Sequence, residues 1–149
     1  MAETKALLVF GNYPRKLDSK NRLVLPAPMR RALPQTGCDM VLTRGLDPCL
    51  QLFTRDYWPG YLEKNLDGMT DLSDERRQLM RYFSAQAEMF TLDKVGRVLL
   101  PQLLKDDVGI QQEVMVVGVV DHIELWNPEA WQRCVQAMQQ RIGAAAKKN

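Results

Sequence analysis

The chain of 149 residues is 46% hydrophobic, which suffices for a core and is too apolar for a disordered protein. Its net charge of +2 is uneven: residues 1–37 hold seven Lys or Arg and two Asp or Glu, residues 38–140 hold ten and sixteen, and residues 141–149 hold three and none. No apolar run approaches the roughly 20 residues of a membrane span, and residues 6–10 are too short for a secretory segment, so we expect a cytoplasmic protein with no membrane contact and a basic end that faces a polyanion.

The first predicted elements are a strand and a short helix. Leu23 and Leu25 lie two residues apart, a spacing that predicts a strand with one buried face. Pro26 ends this strand, because proline lacks the N–H that a sheet requires. The segment PMRRAL, residues 28–33, predicts a short helix directly after it.

A β-hairpin and a second helix are predicted next. Strands are expected over residues 40–44 and 50–53, and Asp47-Pro48 supplies the turn between them. Thr54 is a suitable helix cap. Because Pro59 lies too deep for a regular helix that begins at Thr54, this helix either kinks or begins later.

Residues 71–90 are predicted to form a helix that joins two parts of the chain. Ser73 is a suitable N-cap, and acidic residues follow it in the first turn, where they interact favourably with the helix dipole. One apolar face is formed by Leu79, Met80, Phe83 and Ala87. We therefore expect a connector that packs on the body of the protein and not a flexible linker.

The elements after this connector repeat those before it. They are, in order, a strand ending at Pro101, a helix over residues 102–108, strands over residues 114–117 and 122–126, and a helix capped by Asn127. Pro128 occupies the first position of the last helix, where its fixed φ angle is favourable.

The repetition is visible in the sequence itself. Residues 17–26 read LDSKNRLVLP and residues 92–101 read LDKVGRVLLP, an offset of 75 residues. A second block, residues 42–58, matches residues 115–131 at an offset of 73. Two collinear blocks of this kind predict two copies of one structural unit.

The two copies divide the chain into three parts. We expect a first repeat over residues 7–66, a helical connector over residues 67–90 and a second repeat over residues 91–140. A unit of about 50 residues buries too little surface to be stable alone. The halves are therefore predicted to share one core as an intrachain pseudo-dimer.

The segments DSKNR at residues 18–22 and DKVGR at residues 93–97 carry a family resemblance. Two Asp-x-x-x-Arg motifs, each followed by a strand and a proline, resemble those of the MraZ family of bacterial transcriptional regulators. The segments FGNYPRKLDSKNRL and GVVDHIELWNPEAW are also similar to that family, so the resemblance covers roughly residues 7–140. Asn21 departs from the glycine usual at its position, but Asn tolerates a left-handed backbone, so we expect the turn to survive.

The resemblance implies a fold and a function. The fold is strand-rich α+β, with two AbrB-like swapped-hairpin, double-split barrel units forming the pseudo-dimer, and with peripheral helices. Family members assemble into closed rings and bind short direct repeats upstream of their own cell-division and cell-wall operon. The resemblance thus implies a nucleoid-associated homo-oligomer, an octameric ring, whose partner is double-stranded promoter DNA.

Four basic residues of the first copy are expected to contact DNA: Arg15, Lys16, Lys20 and Arg22. Arginine suits the O6 and N7 edge of guanine, whereas lysine more often neutralises phosphate. The second copy has only Lys94 and Arg97 at the matching place, with Glu88 and Thr91 before them. Because the copies differ in charge, we expect the first to face DNA and Arg97 to have a structural role.

The two aspartates of the motifs are expected to be structural as well. Asp18 and Asp93 each lie four residues before an arginine, across a tight turn. At this spacing a carboxylate closes a salt bridge or accepts hydrogen bonds from backbone amides. We therefore expect both residues to hold their hairpins in place.

Catalysis has little support in the sequence. The single histidine, His122, lies beside Asp121 in a predicted strand, where a surface or structural role is expected. There is no Gly-rich phosphate loop, Cys-His motif or metal-ligand spacing, so we expect no enzyme activity, cofactor, metal ion or small-molecule substrate. The alternative to a DNA-binding regulator is an antitoxin-like or scaffold module whose basic loop binds an acidic protein.

Overall fold

The computed structural model describes residues 7–34 and 37–147, which fold as a strand-rich α+β protein. Its elements in chain order are β1 (Asn12–Lys16), β2 (Arg22–Val24), α1 (Ala27–Ala32), β3 (Asp39–Arg44), β4 (Cys49–Thr54), α2 (Trp58–Asn65), α3 (Asp74–Ala85), β5 (Glu88–Thr91), β6 (Arg97–Leu99), α4 (Gln102–Asp107), β7 (Glu113–Gly118), β8 (Ile123–Trp126) and α5 (Pro128–Lys147). No helix in these two stretches has the length and apolarity needed to cross a membrane.

The main sheet is built by exchange of strands between the two halves of the chain. Its order is β1-β7-β8-β4-β3-β5, so β1 of the first half pairs with β7 of the second, and β5 of the second half pairs with β3 of the first. A separate two-stranded ribbon also joins the halves, because β2 pairs with β6. Each half completes the other, which confirms the predicted intrachain pseudo-dimer.

One hydrophobic core contains residues from both halves. Leu23 and Leu25 of the first half, and Val98 and Leu100 of the second, are each no more than 1% exposed. They belong to one cluster that also includes the inward side chains of the sheet. Because burying a side chain of this size contributes about 1.5–3 kcal/mol, the shared core supplies stability that a single unit would lack.

The predicted hairpins and short helices are confirmed, with small shifts at their ends. The β3–β4 and β7–β8 pairs are antiparallel hairpins, and α1 and α4 begin directly after Pro26 and Pro101. α2 begins at Trp58 and not at Thr54, so Pro59 falls in the first turn, where its missing N–H costs nothing. Of the two expected alternatives, the later start is the one observed.

α3 matches the predicted connector helix at its start but not at its end. Ser73 caps it, and Ser73 Oγ accepts a hydrogen bond from Arg76 N at 3.2 Å. The helix ends at Ala85, so Ala87 lies outside it, and residues 88–90 of the expected helical connector belong to β5. Pairing with β3 favours an extended backbone there. The division into domains stays a prediction.

A buried polar cluster lies at the start of β8. His122 is 5% exposed, with Nδ1 2.7 Å from Asp121 Oδ1 and Nε2 3.4 Å from Glu124 Oε2. Asp121 Oδ2 accepts a hydrogen bond from Tyr57 OH at 2.7 Å, and the His122 ring stacks on Phe53. Burial opposes the charge on His122, but the hydrogen bonds and charges of Glu124 and Asp121 raise its pKa above the ordinary value. These contacts make His122 a structural residue.

Gly118 in β7 lies directly against the segment that precedes β1. A Cβ at Gly118 would lie 2.4 Å from Phe10 N and 2.7 Å from Val9 C, both of them backbone atoms. We expect Gly118→Ala to lower the free energy of unfolding by about 1–3 kcal/mol, because the segment before β1 must move away from β7. Gly143→Ala, in open space on α5, is the control and should raise that free energy by about 0.5–1 kcal/mol. Urea unfolding measures both changes, and a Gly118→Ala variant as stable as the unmodified protein would contradict this packing.

His122 should make the stability of the protein depend on pH. Its pKa is higher in the folded state than the ordinary 6.5, so its proton stabilises the fold fully below about pH 6.5. That contribution is lost as the pH rises through the folded-state pKa. We expect the free energy of unfolding to fall as the pH rises above about 6.5, and to fall less in His122→Gln. Parallel profiles for the two proteins, measured by urea unfolding, would mean that His122 carries no charge in the fold.

Candidate nucleic-acid interface

Loop one, residues 18–22, is held by a single carboxylate. Asp18 Oδ1 accepts hydrogen bonds from the backbone N–H groups of Lys20 at 2.8 Å and Arg22 at 3.0 Å. Asp18 Oδ2 accepts a third hydrogen bond from Arg22 Nε at 2.9 Å. The Arg22 backbone amide, with that of Lys20 and the Arg22 side chain, lowers the pKa of Asp18, although partial desolvation opposes this shift. One short acidic side chain thus fixes both the turn and the arginine that follows it.

Loop two, residues 93–97, has the same construction. Asp93 Oδ1 accepts hydrogen bonds from the backbone N–H groups of Val95, Gly96 and Arg97 at 2.9–3.1 Å. Asp93 Oδ2 accepts a hydrogen bond from Arg97 Nε at 2.7 Å. The backbone and side chain of Arg97 lower the pKa of Asp93. The i, i+4 spacing of Asp and Arg is therefore used in the same way in both halves.

Each loop turns at a residue with a left-handed backbone. Asn21 has φ of 61° and Gly96 has φ of 82°. Glycine adopts this conformation without steric cost, and Asn adopts it more readily than most residues. The expectation that the turn survives the change from glycine to Asn21 is confirmed.

The two arginines of the motifs lie together on the ribbon formed by β2 and β6. In this ribbon Arg22 faces Leu99 and Val24 faces Arg97 across the strands, whereas Leu23 and Val98 point into the core. Because side chains alternate along a strand, Arg22, Val24, Arg97 and Leu99 share the outer face. The structure therefore brings Arg22 and Arg97 onto one surface, although the sequence analysis placed them in different roles.

Both arginines keep part of their hydrogen-bonding capacity free. The side chains of Arg22 and Arg97 are 33% and 37% exposed. In each arginine, Nε donates a hydrogen bond to the aspartate of the same loop. Within residues 7–34 and 37–147, no Nη atom of either arginine makes a hydrogen bond. Since a guanidinium has five N–H donors, each side chain can still bind an anion or a base edge through its outer nitrogens.

The other expected DNA contacts lie close to loop one. Arg15 and Lys16 are in β1, the edge strand that leads into loop one, and Lys16 is exposed. Arg15 Nη1 donates a hydrogen bond to its neighbour Pro14 O, and its guanidinium lies 5.8 Å from the centre of the Tyr13 ring. Lys20 is exposed within loop one. The four basic residues therefore lie within loop one or in the strand that leads into it.

A basic cleft that the sequence alone does not reveal lies beside loop two. Arg30 of α1 extends across the halves and donates a hydrogen bond from Nη1 to Val95 O at 3.1 Å. A cleft of about 270 Å³ lies there, lined by Arg30, Arg31, Leu33, Leu92, Asp93, Lys94 and Gly96. The adjacent arginines were visible in the sequence, but only the exchange of strands shows that they lie beside the loop of the other half.

α4 has the equivalent place beside loop one. Lys105 Nζ donates a hydrogen bond to Asn21 Oδ1 at 2.8 Å, while Asp106 and Asp107 are exposed. The acidic residues of the second half thus accompany loop one, and the arginines of α1 accompany loop two. The charge difference between the two copies that is counted along the chain is therefore smaller in space, because Arg30 and Arg31 lie beside loop two.

Comparison with known proteins assigns the chain to a family. The family model described as "MraZ protein, putative antitoxin-like" matches residues 8–80 and 83–148. A protein of Caldicellulosiruptor bescii named "Transcriptional regulator MraZ" is 40% identical over 124 residues, which cover 83% of this chain and 84% of the relative. A protein of the same name from Roseiflexus sp. (strain RS-1) is 35% identical over 141 residues, which cover 95% and 96%. The two matched segments and the two relatives lead to one conclusion: this chain belongs to the MraZ family.

Proposed function

We propose that this protein is a sequence-specific DNA-binding transcriptional regulator. It binds short direct repeats in the promoter of its own cell-division and cell-wall operon, and it does so as an oligomeric ring. The observation that carries the DNA-binding proposal is the pair Arg22 and Arg97, which share the outer face of the ribbon and whose Nη groups make no hydrogen bond to the part of the chain that the structure describes. The name "Transcriptional regulator" of the similar proteins supports the same role.

The proposed contact places the ribbon in the major groove of DNA. That groove, about 12 Å wide, accepts a two-stranded β-ribbon, and arginine pairs with guanine through O6 and N7. Asp18 and Asp93 hold the Nε atoms and so direct the outer nitrogens of Arg22 and Arg97 away from the protein. A side chain that is already oriented loses less conformational entropy on binding.

The surrounding lysines and arginines bind phosphate in this proposal. Lys16 and Lys20 lie at one end of the ribbon, and Arg31 and Lys94 lie at the other. Phosphate contacts position a protein on DNA, and base contacts give it specificity. Because each neutralised phosphate releases counterions, we expect binding to weaken steeply with increasing salt.

A single ribbon is small for specific recognition. Specific interfaces with DNA bury about 1,000 Å² or more, which a few loop residues do not supply. Several subunits held at fixed spacing provide the missing area, because each binding event raises the effective concentration of the next subunit. We therefore propose a closed homo-oligomer, an octameric ring, that presents its ribbons to successive DNA repeats.

α5 carries an apolar stripe suited to contacts between subunits. Trp131 and Cys134 of this stripe pack against the body, but Met138 and Ile142 continue it while 41% and 70% exposed. Residues spaced by three or four positions share one face of a helix. The stripe thus runs beyond the core of its own chain, and we propose that a neighbouring subunit covers its outer part.

The second candidate function is a protein-interaction module of the antitoxin or scaffold type. The words "antitoxin-like" in the description of the family are the observation that favours it. In that case the basic loops would bind an acidic protein. Retention on a duplex carrying the promoter repeats, compared with a scrambled duplex of the same length, distinguishes the two functions.

Loss of Arg22 should abolish specific binding without unfolding the protein. A bidentate contact to a base contributes about 1–3 kcal/mol in each subunit, so Arg22→Ala should remove most of the preference for the repeats. Lys20→Ala should weaken binding to the repeat and scrambled duplexes alike, because a phosphate contact carries no sequence information. A gel-shift titration measures both effects, and a folded Arg22→Ala variant with normal binding would contradict the role assigned to Arg22.

The shared outer face extends the proposal to Arg97, which the sequence analysis expected to be structural only. Arg97→Ala should reduce the affinity for the repeat duplex to within about tenfold of the Arg22→Ala value, since the loss of one base contact has a similar free energy. Circular dichroism checks that both variants are folded. If Arg97→Ala is folded and binds normally, only loop one contacts DNA, as the sequence first indicated.

The assembly is tested on the outer face of α5. Ile142→Asp should shift the protein from oligomer to smaller species, because a charge would be buried where the stripe contacts a neighbour. Gln140→Asp, which lies on the opposite side of the same helix, is the control and should leave the mass unchanged. Light scattering at micromolar concentration measures the mass. A monomeric unmodified protein would contradict the ring, and equal affinities for one and four repeats would contradict the multivalent mechanism.

A further inference from the structure

We infer that Lys105 is a positioning residue for loop one and that it acts through Asn21. This inference rests on the proposed function, because loop one contains Arg22, the proposed contact to DNA. The contact crosses the halves of the chain: Lys105 lies in α4 of the second half, and its Nζ donates to Asn21 Oδ1 at 2.8 Å. Gln102, one turn earlier in α4, adds a weaker contact, because its Oε1 lies 3.4 Å from Asn21 Nδ2.

Lys105 is buried, so its ammonium group depends on the contact with Asn21. Lys105 is 6% exposed, a rare condition for lysine, and the Asn21 side chain is its hydrogen-bond partner within the described stretches of the chain. A buried ammonium group requires such a partner, because leaving it unpaired is costly. In turn, the Asn21 side chain is tied to α4 and cannot rotate freely in solvent.

The equivalent place in the other half is built differently. Arg30 occupies in α1 the position that Lys105 occupies in α4, 75 residues later. Its side chain crosses directly over Gly96, where a Cβ would lie 2.4 Å from Arg30 Cδ, and it donates to Val95 O. Asn21 is the counterpart of Gly96. Each loop therefore has a matched pair, Asn21 with Lys105 and Gly96 with Arg30.

The two pairs are not interchangeable by single changes. A side chain at position 96 would collide with Arg30, and a glycine at position 21 would leave Lys105 without its acceptor. Asn at a left-handed position is less favourable than glycine, so its presence calls for a compensating contact. Lys105 supplies that contact, and Asn21 O accepts a hydrogen bond from Leu100 N at 2.9 Å in the ribbon partner. Loop one is thus fixed to α4 and β6 next to Arg22.

The test uses the full-length protein with a duplex carrying the repeats upstream of its own gene and a scrambled duplex of equal length. Lys105→Met keeps the apolar stem but removes the donor, and Asn21→Gly removes the acceptor while relaxing the backbone. Each should weaken binding to the repeats at least about tenfold and to the scrambled duplex much less, and the double variant should be no weaker than the stronger single variant. Lys64→Met, an exposed change on α2, is the control for loss of a lysine charge.

Rescue provides the second arm of this test. Asn21→Gly combined with Lys105→Arg recreates in loop one the pair found at loop two. It should restore binding to the repeats to within about threefold of the unmodified protein, since the two contacts act as a unit. Equal loss on both duplexes, additive losses in the double variant, or failure of the rescue would overturn the inference, because Lys105 would then act only through its charge or through general stability.

Hydrogen exchange separates this inference from the proposed function. In Lys105→Met, backbone amides of residues 17–24 should exchange at least about fivefold faster, while those of residues 92–99 should be unchanged, because local opening depends on local contacts. This result does not involve DNA. Unchanged exchange in loop one overturns the positioning role even if the protein binds DNA, and faster exchange supports it even if the unmodified protein does not distinguish the two duplexes.

Discussion

Pairing of β2 with β6 is the contact on which the rest of this molecule depends. It joins the two halves through strands of only three residues each, and its inner side chains, Leu23 and Val98, enter the common core. The same pairing decides which side chains face outward, because a strand alternates its faces. A slip of one residue would bury both motif arginines and expose the core leucine and valine. Fold and proposed function are therefore fixed by one register.

The motif ion pairs matter more for orientation than for stability. Exposed pairs of this kind typically contribute about 0–1 kcal/mol, which is small beside the buried side chains of the core. Asp18 and Asp93 instead fix an orientation. Each carboxylate accepts a hydrogen bond from the Nε of its arginine and, together with backbone N–H groups, at least three hydrogen bonds in total. The turn and the guanidinium are therefore held together. This arrangement explains how a short loop presents an ordered cation at the surface.

Much of the fold could be predicted from the sequence, because the repeat and its alternating apolar residues are local signals. The hairpins, the caps and the pseudo-dimer followed from them. The extended residues 88–90 did not, since their conformation comes from pairing with a strand about 50 positions earlier. The cleft with Arg30 and Arg31 was missed for the same reason: counting charge along the chain grouped them with the basic residues of the first copy, whereas strand exchange places α1 beside loop two. The periodicity of apolar residues predicts which side chains are buried, but it does not predict beside which half of the chain a helix will pack.

The two ends of the ribbon also differ from each other. Its two strands are related by a local twofold axis, as are the two strands of a DNA duplex, and a fully symmetric ribbon would read a site equally well in either orientation. Lys20 of loop one stands where Val95 stands in loop two, and Asn21 stands where Gly96 stands. These differences, possible because both copies belong to one chain and can change separately, remove the symmetry. An asymmetric ribbon would distinguish the two orientations of its site. In the proposed ring, ribbons that all face the same way around the rim would match sites arranged head to tail along DNA and not inverted sites.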